Sequence, residues 1–376
     1  MPHFVPDSAH YMRGTGQPVT PLKHSLEIYR EYMLNMFFTN MSGKKGSGKP
    51  IIIDDEVFKG RDSGDVGRFH FIPQFHGEGI RGQNKSVIGN ENTLDEFYMD
   101  LRIDQLTQSF ARKGKMTKKR TIWDAREEFK HQLANWFREA TEQDIVESLS
   151  GYNTDGATYI TGEAALTHDA VTGDHRCLRV DYADSKYGVV EVSSANSDTT
   201  ALLSALSASD IMNTYILDVL QDFAKTADSK YAMRPIRAKN GEEYYMLVLH
   251  PRAAIDLRAD PRWEKRAIAA MTGKNSLDGD PIATGAIGVW EHIIVKEAGF
   301  IKTHKNDAGS LRFARNLLLG AEAAVMAYGQ TLDYTEQLDD HKRRLSVAAD
   351  EIRGIRKLTF DGTDLNIAQI PCAIRV

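Results

Sequence analysis

The 376-residue sequence has only two cysteines, Cys177 and Cys372, far apart and in no zinc or redox spacing. That excludes a disulfide framework and fits a reducing compartment. No stretch approaches the roughly 18 consecutive apolar residues of a membrane span. The N-terminal MPHFVPDSAHYMRG lacks the apolar core of a signal peptide, so the chain is expected to be made and first folded in a cytosol, with no membrane partner. A basic excess is missing too. The 47 Lys and Arg residues stand against 52 Asp and Glu, a formal charge of −5, and nothing global marks a nucleic-acid binder.

Reactive motifs are equally sparse. The 12 histidines include no H-E-x-x-H. There is no G-x-S-x-G, and neither cysteine has a histidine in local register. THDAVTGDH, from Thr167 to His175, gathers two His and two Asp residues but reads better as a polar turn than as a metal site. No catalytic, cofactor-binding or metal residue is assigned, no cofactor is expected, and the chain is not expected to be an enzyme.

One stretch imitates a nucleotide site. In SGKKGSGKPIIIDDE, Ser42 to Glu56, Gly43, Gly48 and Lys49 fit the first seven positions of a phosphate-binding loop. Such a loop needs Ser or Thr after the lysine to bind Mg²⁺, and here that position is Pro50. It should also open a helix whose N-terminus faces the phosphates. Instead Ile51, Ile52 and Ile53 begin a strand, and the acidic residues follow with no room for a helix. The stretch reads as a Gly/Lys/Ser hinge leading into a strand.

What is present is a chain with 41% hydrophobic and 26% charged residues, a globular composition long enough for two or three units. A helix is expected from Pro21 to about Met41, with Leu22, Leu26, Tyr29, Met33 and Phe37 on its packing face. Residues 42–92 are punctuated by glycine, and the strand-like pieces PIIID, GRFHFIP and KSVIG lie between. They read as a long twisted hairpin in which Phe69 and Phe71 share one face while Arg68 and His70 share the other. An isolated two-stranded hairpin is marginal in water, so this one needs a partner surface, in its own chain or on another subunit.

Next come Arg112, Lys113, Lys115, Lys118, Lys119 and Arg120, six basic residues in nine. They are expected to be exposed, and to meet a neighbour's acidic surface rather than nucleic acid. A helix from Thr121 to Leu149, roughly 40 Å long at 1.5 Å per residue, follows a capping signal at Thr121 and Asp124. Downstream, a helix is expected from Asp210 to Ala227, and a central strand at YYMLVL. Two short helices follow, Ala253 to Arg258 and Arg262 to Met271, then a buried strand region at GAIGVWEHIIVKEAG. RFARNLLLGAEAAVMAYGQ, Arg312 to Gln330, reads as a closely packed helix. The tail alternates helix- and strand-like pieces and closes on the strand IAQIPCAIRV. Without a regular βαβα alternation the fold class is α+β.

Four segments, in this order, resemble the major capsid proteins of coliphage N-four type phages. They are GEGIRGQNKSVIGNENTLDEFYMDLRIDQLTQSF, YYMLVLHPRAAIDLRADPRW, TGAIGVWEHIIVKEAG and RNLLLGAEAAVMAYG. The last is similar to a small-residue helix of that family. Together they span roughly residues 65–330. The resemblance implies the Hong-Kong-ninety-seven-like capsid fold. Residues 1–50 would form an N-terminal arm and helix, and residues 51–118 an extended β-hairpin, the E-loop. Residues 119–152 and 332–376 would form a peripheral domain built on a long spine helix, and residues 153–331 a mixed axial domain.

The implied function is a major capsid protein that self-assembles, as pentamers and hexamers, into the icosahedral shell around the double-stranded DNA of a tailed phage. Portal, scaffold or decoration proteins and non-specifically held DNA would be its partners. The virion capsid, and the host cytoplasm during assembly, would be its location. Intersubunit contacts are expected at Phe69, Phe71, Gly77, Gly79 and Gly82 of the hairpin and at the six basic residues from Arg112 to Arg120. The alternatives are an encapsulin-like cellular shell protein or a tail or decoration protein of related fold.

Overall fold

The computed structural model describes residues 20–54, 57–58, 64–71, 97–112, 125–150, 177–181, 189–193, 206–226, 233–238, 241–272, 285–301, 303–305, 311–339, 341, 344–360 and 363–374. The chain divides into two units. The first comprises Met1–Thr39, Asp104–Glu142 and Tyr328–Arg353, and the second Asn40–Ile103, Gln143–Ala327 and Gly354–Val376.

The first unit packs two helices on one face of a sheet. The helix Thr20–Asn35 and residues 125–142 of the helix Ala125–Ser150 supply Ile28, Tyr32, Leu133, Ala134 and Phe137 to a core completed by Leu332, Tyr334, Val347 and Ala349. The strands Ala324–Asp339, Arg344–Lys357 and Asp104–Ala111 lie side by side in that order. Asp104–Ala111 runs antiparallel to its neighbour, from Ser346 opposite Ala111 to Arg353 opposite Asp104. The period of two sends Leu106 and Phe110 toward the helices.

The long helix falls where its sequence pattern put it. The N-terminal helix does not extend to Met41. It ends at Asn35, and Thr39 Oγ1 donates to the carbonyl of Met36 at 2.8 Å in the turn that follows. Its packing face is partly rotated: Tyr29 and Met33 of the expected face do pack against this core, but Leu26 does not. Ser25, Ile28, Tyr32 and Met36 are buried, whereas Leu26 is 55% and Leu34 75% exposed. Both sets recur at three- and four-residue steps, so periodicity admits either. Buried hydrogen bonds to Tyr32 favour the observed one. The tail segment Arg344–Lys357 is one strand throughout, not an alternation with helix.

The second unit is built on a nine-stranded sheet. Its main path runs Ala286–Trp290, Ile293–Glu297, Glu243–Leu249, Arg312–Leu319, Ile367–Ala373, Cys177–Asp181, Val189–Ser193. The central strand Glu243–Leu249 is buried at every residue after Glu243, as its near-continuous apolar run requires. The helices Thr214–Thr226, Pro251–Arg258 and Pro261–Thr272 place Ile216, Leu220, Leu257 and Trp263 against Leu247, Val295, Leu318 and Ile370.

One expectation fails in this unit. The stretch from Arg312 to Gln330 is strand, turn and strand rather than a helix. At the turn, Glu322 adopts φ 59, and a Cβ on Gly320 would stand 2.6 Å from the Arg234 carbonyl. The small residues serve close sheet packing there, and pairing on both edges overrides helix propensity. The terminal strand Ile367–Ala373 lies in this sheet, antiparallel to Arg312–Leu319, and Gln369 Nε2 donates to the carbonyl of Ser150 at the end of the long helix.

The Gly/Lys/Ser stretch closes on itself. Ser42–Gly43 pairs in parallel with Ile51–Asp54, Lys49 Nζ donates to the Ser42 carbonyl at 2.8 Å, and Gly46 and Gly48 take φ 79 and 69, values that favour glycine.

Candidate functional site

The hairpin that dominates the sequence reading is seated in the second unit. Val66–Phe71 pairs antiparallel with Phe97–Arg102, from Val66 opposite Arg102 to Phe71 opposite Phe97. Residues of alternate parity point to opposite faces. Gly67, Phe69 and Phe71 are buried on one strand, Met99 and Leu101 on the other. This face closes on Ile52, Phe58, Val325 and Leu358 of the same chain. Phe69 and Phe71, expected to meet a neighbouring subunit, are therefore core residues of their own unit. The reason is energetic. A two-stranded ribbon must cover its apolar face, and the chain's own core does so.

The seat is tight. A Cβ on Gly67 would stand 2.3 Å from Val57 Cγ1, and one on Gly354 would stand 2.0 Å from the Arg102 carbonyl oxygen. The Ile103 N–H donates to the Asp65 carbonyl at 2.9 Å, and the Arg356 guanidinium donates to the Asp100 carbonyl.

The opposite face is open. Tyr98 is 59% and Val66 38% exposed. The Arg68 guanidinium lies 4.5 Å from the Tyr98 ring centroid, and its Nε donates to Asp100 Oδ1 at 3.1 Å. An aromatic ring and a cation are thus held in fixed register by cross-strand contacts. Sequence reasoning placed Arg68 on this face but passed over Tyr98. Its signal was present in the alternation of Phe97, Met99 and Leu101 with Tyr98 and Asp100.

Arg112 sits at the end of the edge strand of the first unit, its N–H donating to the Leu345 carbonyl at 2.8 Å. Gly77, Gly79, Gly82, Lys113, Lys115, Lys118, Lys119 and Arg120 lie outside the described residues, as do Thr167 to His175 and the KSVIG segment.

The first unit carries a buried polar network. Tyr32 Oη donates to Glu351 Oε2 at 3.2 Å and lies 3.2 Å from Tyr328 Oη. The Arg353 guanidinium donates to Glu351 and to Thr141 Oγ1. Burial pushes the Tyr32 phenol well above its usual range, and the nearby Tyr328 and Glu351 add to this. Glu142 is raised by burial, although it accepts from the Phe37 N–H at 2.7 Å. In the second unit Lys357 and Asp364 pair at 2.7 Å, both sealed from solvent. Burial lowers the lysine while Asp364 pulls it back up.

These groups are arranged to hold structure. Burial drives both thiols, Cys177 and Cys372, up to about 12, which leaves them unreactive as nucleophiles. Among the described residues no three His, Cys, Asp or Glu side chains converge as a metal site, and no helix is long and apolar enough to cross a membrane.

The family model for phage capsid protein matches residues 16–372. The major capsid protein of Pseudomonas phage KPP25 is 26% identical over 307 residues, covering 77% of this chain and 76% of that one. Among solved structures, the capsid of Ralstonia phage GP4 superposes with a TM-score of 0.71 at 25% identity, covering 91% of this chain and 92% of that one. The cyanophage Pam1 capsid asymmetric unit shares the fold, with a TM-score of 0.65 at 19% identity over 90% of this chain and 92% of that one.

Proposed function

The chain belongs to the phage capsid protein family, and we propose from that premise how its parts build a shell. It is a major capsid protein, a structural subunit of the virion that assembles in many copies and not an enzyme. Its fold is that of the tailed-phage capsids. We place it with the N-four type within the family.

The finer reading assigns residues 51–118 to an E-loop region that reaches across an adjacent subunit. The helix Ala125–Ser150 serves as the spine of a peripheral domain, and residues 153–331 form most of an axial domain around which pentamers and hexamers close. Heterologous contacts of this kind close into rings, which further contacts join. The glycines at Gly77, Gly79 and Gly82 let the loop bend to different neighbours, and the basic residues from Arg112 to Arg120 join subunits. Portal, scaffold or decoration proteins meet the assembled shell, double-stranded DNA is held inside it non-specifically, and assembly takes place in the host cytoplasm.

The observation that carries the E-loop reading is the two-faced hairpin. Its inner face is locked into its own core, while its outer face presents Tyr98 stacked on Arg68. Aromatic and arginine side chains fixed in this way are the residue types that anchor protein interfaces. Residues 77–90, which the loop reading places beyond this seat, provide the test. Deleting them should leave a folded protomer that fails to form closed shells by electron microscopy. Normal closed shells from the deletion variant would rule the loop assignment out.

A further inference from the structure

We propose that the open face of the first unit's sheet, centred on Asp333 and Asp350, receives the basic segment of residues 112–120 from a second copy of the chain. This deepens the shell-building reading and rests on it, naming the surface that the basic segment meets.

The sheet formed by residues 104–111, 344–353 and 328–339 packs its inner face on the two helices. Alternation turns Thr107 and Ser109 of the edge strand, Ser346, Ala348 and Asp350 of the middle strand, and Asp333 and Thr335 of the third to the other face. That face is rich in small and hydroxyl side chains, and Asp333 and Asp350 are acidic. The two carboxylates repel one another. Asp350 is held above the ordinary carboxylate range by burial first and by the charge of Asp333 second.

Several carboxylates of this unit have cationic partners. Glu351 has Arg353, Glu142 has Arg138, Glu27 has Lys130 and Glu31 has His131. Asp333 and Asp350 have none among the described residues. Like charges facing one another on neighbouring strands cost stability. A sheet that keeps such a pair is complementary to a cation supplied from outside the protomer.

Residues 112–120, RKGKMTKKR, hold six basic residues and no acid. The segment departs from Arg112, whose N–H is fixed to the Leu345 carbonyl. Asp350 lies opposite Thr107 in the same ladder, five residues from Arg112 and so about 17 Å along the strand. To reach its own Asp350 the segment would have to reverse across its own sheet. A neighbouring copy needs no such reversal, and in a shell every copy carries both the donor segment and the acidic face. Small outward side chains such as Ala348 and Ser109 leave the long lysine and arginine stems room to lie flat.

The test uses the full chain. Asp333→Asn with Asp350→Asn removes both charges without changing shape. The purified protomer should melt at an equal or higher temperature, because the repulsion is gone, while the yield of shells by sedimentation should fall at least tenfold. Unchanged shell yield overturns the proposal. Asp350→Lys and Lys118→Glu/Lys119→Glu should each block assembly alone and assemble when combined in one chain. They should also co-assemble when the two variant chains are mixed. Rescue only within one chain, with the single variants losing protomer stability, would show that the segment folds onto its own sheet, and this too overturns the proposal. Loss of DNA retention in otherwise normal shells would assign the basic segment to nucleic acid instead. If the unmodified chain forms no shells at all, the shell-building reading itself has failed.

Discussion

The Tyr32 hydroxyl donates to Oε2 of Glu351 across 3.2 Å, and neither side chain is reached by solvent. One comes from the N-terminal helix and the other from a strand more than three hundred residues later, with Arg353 and Thr141 completing the cluster. The link fixes which face of the N-terminal helix packs inward. Tyr32→Phe deletes the hydroxyl's contacts with Glu351 and Tyr328 while Glu351 keeps Arg353, and should cost about 1.5–3 kcal/mol, since one partner is charged. Glu351→Ala strands the Arg353 charge in the core and should cost about 3–5 kcal/mol. Urea denaturation of the protomer reads both. Equal losses for the two variants would show that the ion pair contributes nothing beyond the hydroxyl contact.

Gly354 and Gly67 seat the hairpin. With a Cβ placed 2.0 Å from the Arg102 carbonyl oxygen, Gly354→Ala must displace backbone rather than a flexible side chain. Overpacking of this kind typically costs about 1–3 kcal/mol. Faster amide exchange at Ile103 and along Val66–Phe71 should accompany it. Exchange rates unchanged from the unmodified protein would show that the close approach does not hold the seat.

Lys296 gives the stability a dependence on alkaline pH. Burial lowers this lysine from 10.5 to about 8. Between those values the unfolded chain holds a proton that the folded chain has lost, so raising the pH favours folding. Stability should therefore rise from about pH 8 toward 10.5, as far as this group is concerned. Lys296→Met should flatten the rise. Urea midpoints measured over that range check the sign, and a fall that survives in the variant would assign the dependence to other groups.

The thiols give a simple accessibility check. Cys177 and Cys372 are both buried and both raised to about 12. A thiol reagent should label neither in the native protomer at pH 8 and both in urea. Rapid native labelling of either would contradict its burial.

Several of these features were legible in the sequence. The long helix, the central strand at YYMLVL and the alternation around Phe69 each bury a pattern whose period matches one element type, so the pattern dictates the element. The stretch from Arg312 to Gln330 was misread because alanine, leucine and glycine suit a packed helix and a crowded sheet equally. What decides is the Arg234 carbonyl beside Gly320, and this comes from a distant part of the chain. The face of the N-terminal helix was ambiguous for the same kind of reason. Leu26 outranks Ser25 in hydrophobicity, yet Ser25 is buried and its Oγ accepts from the Tyr334 N–H at 3.0 Å. The partner of the hairpin was open in the sequence. Local pattern shows that Phe69 and Phe71 must be covered, and cannot show that Phe58 and Leu358 cover them.

The central claim is that the chain builds a closed shell from copies of itself. The most direct measurement is electron microscopy of the high-molecular-weight fraction after expression of the chain, alone or with a scaffold protein. Uniform closed polyhedral shells are the predicted result. Folded protomers that remain monomeric, or that form only open tubes under the same conditions, would contradict it.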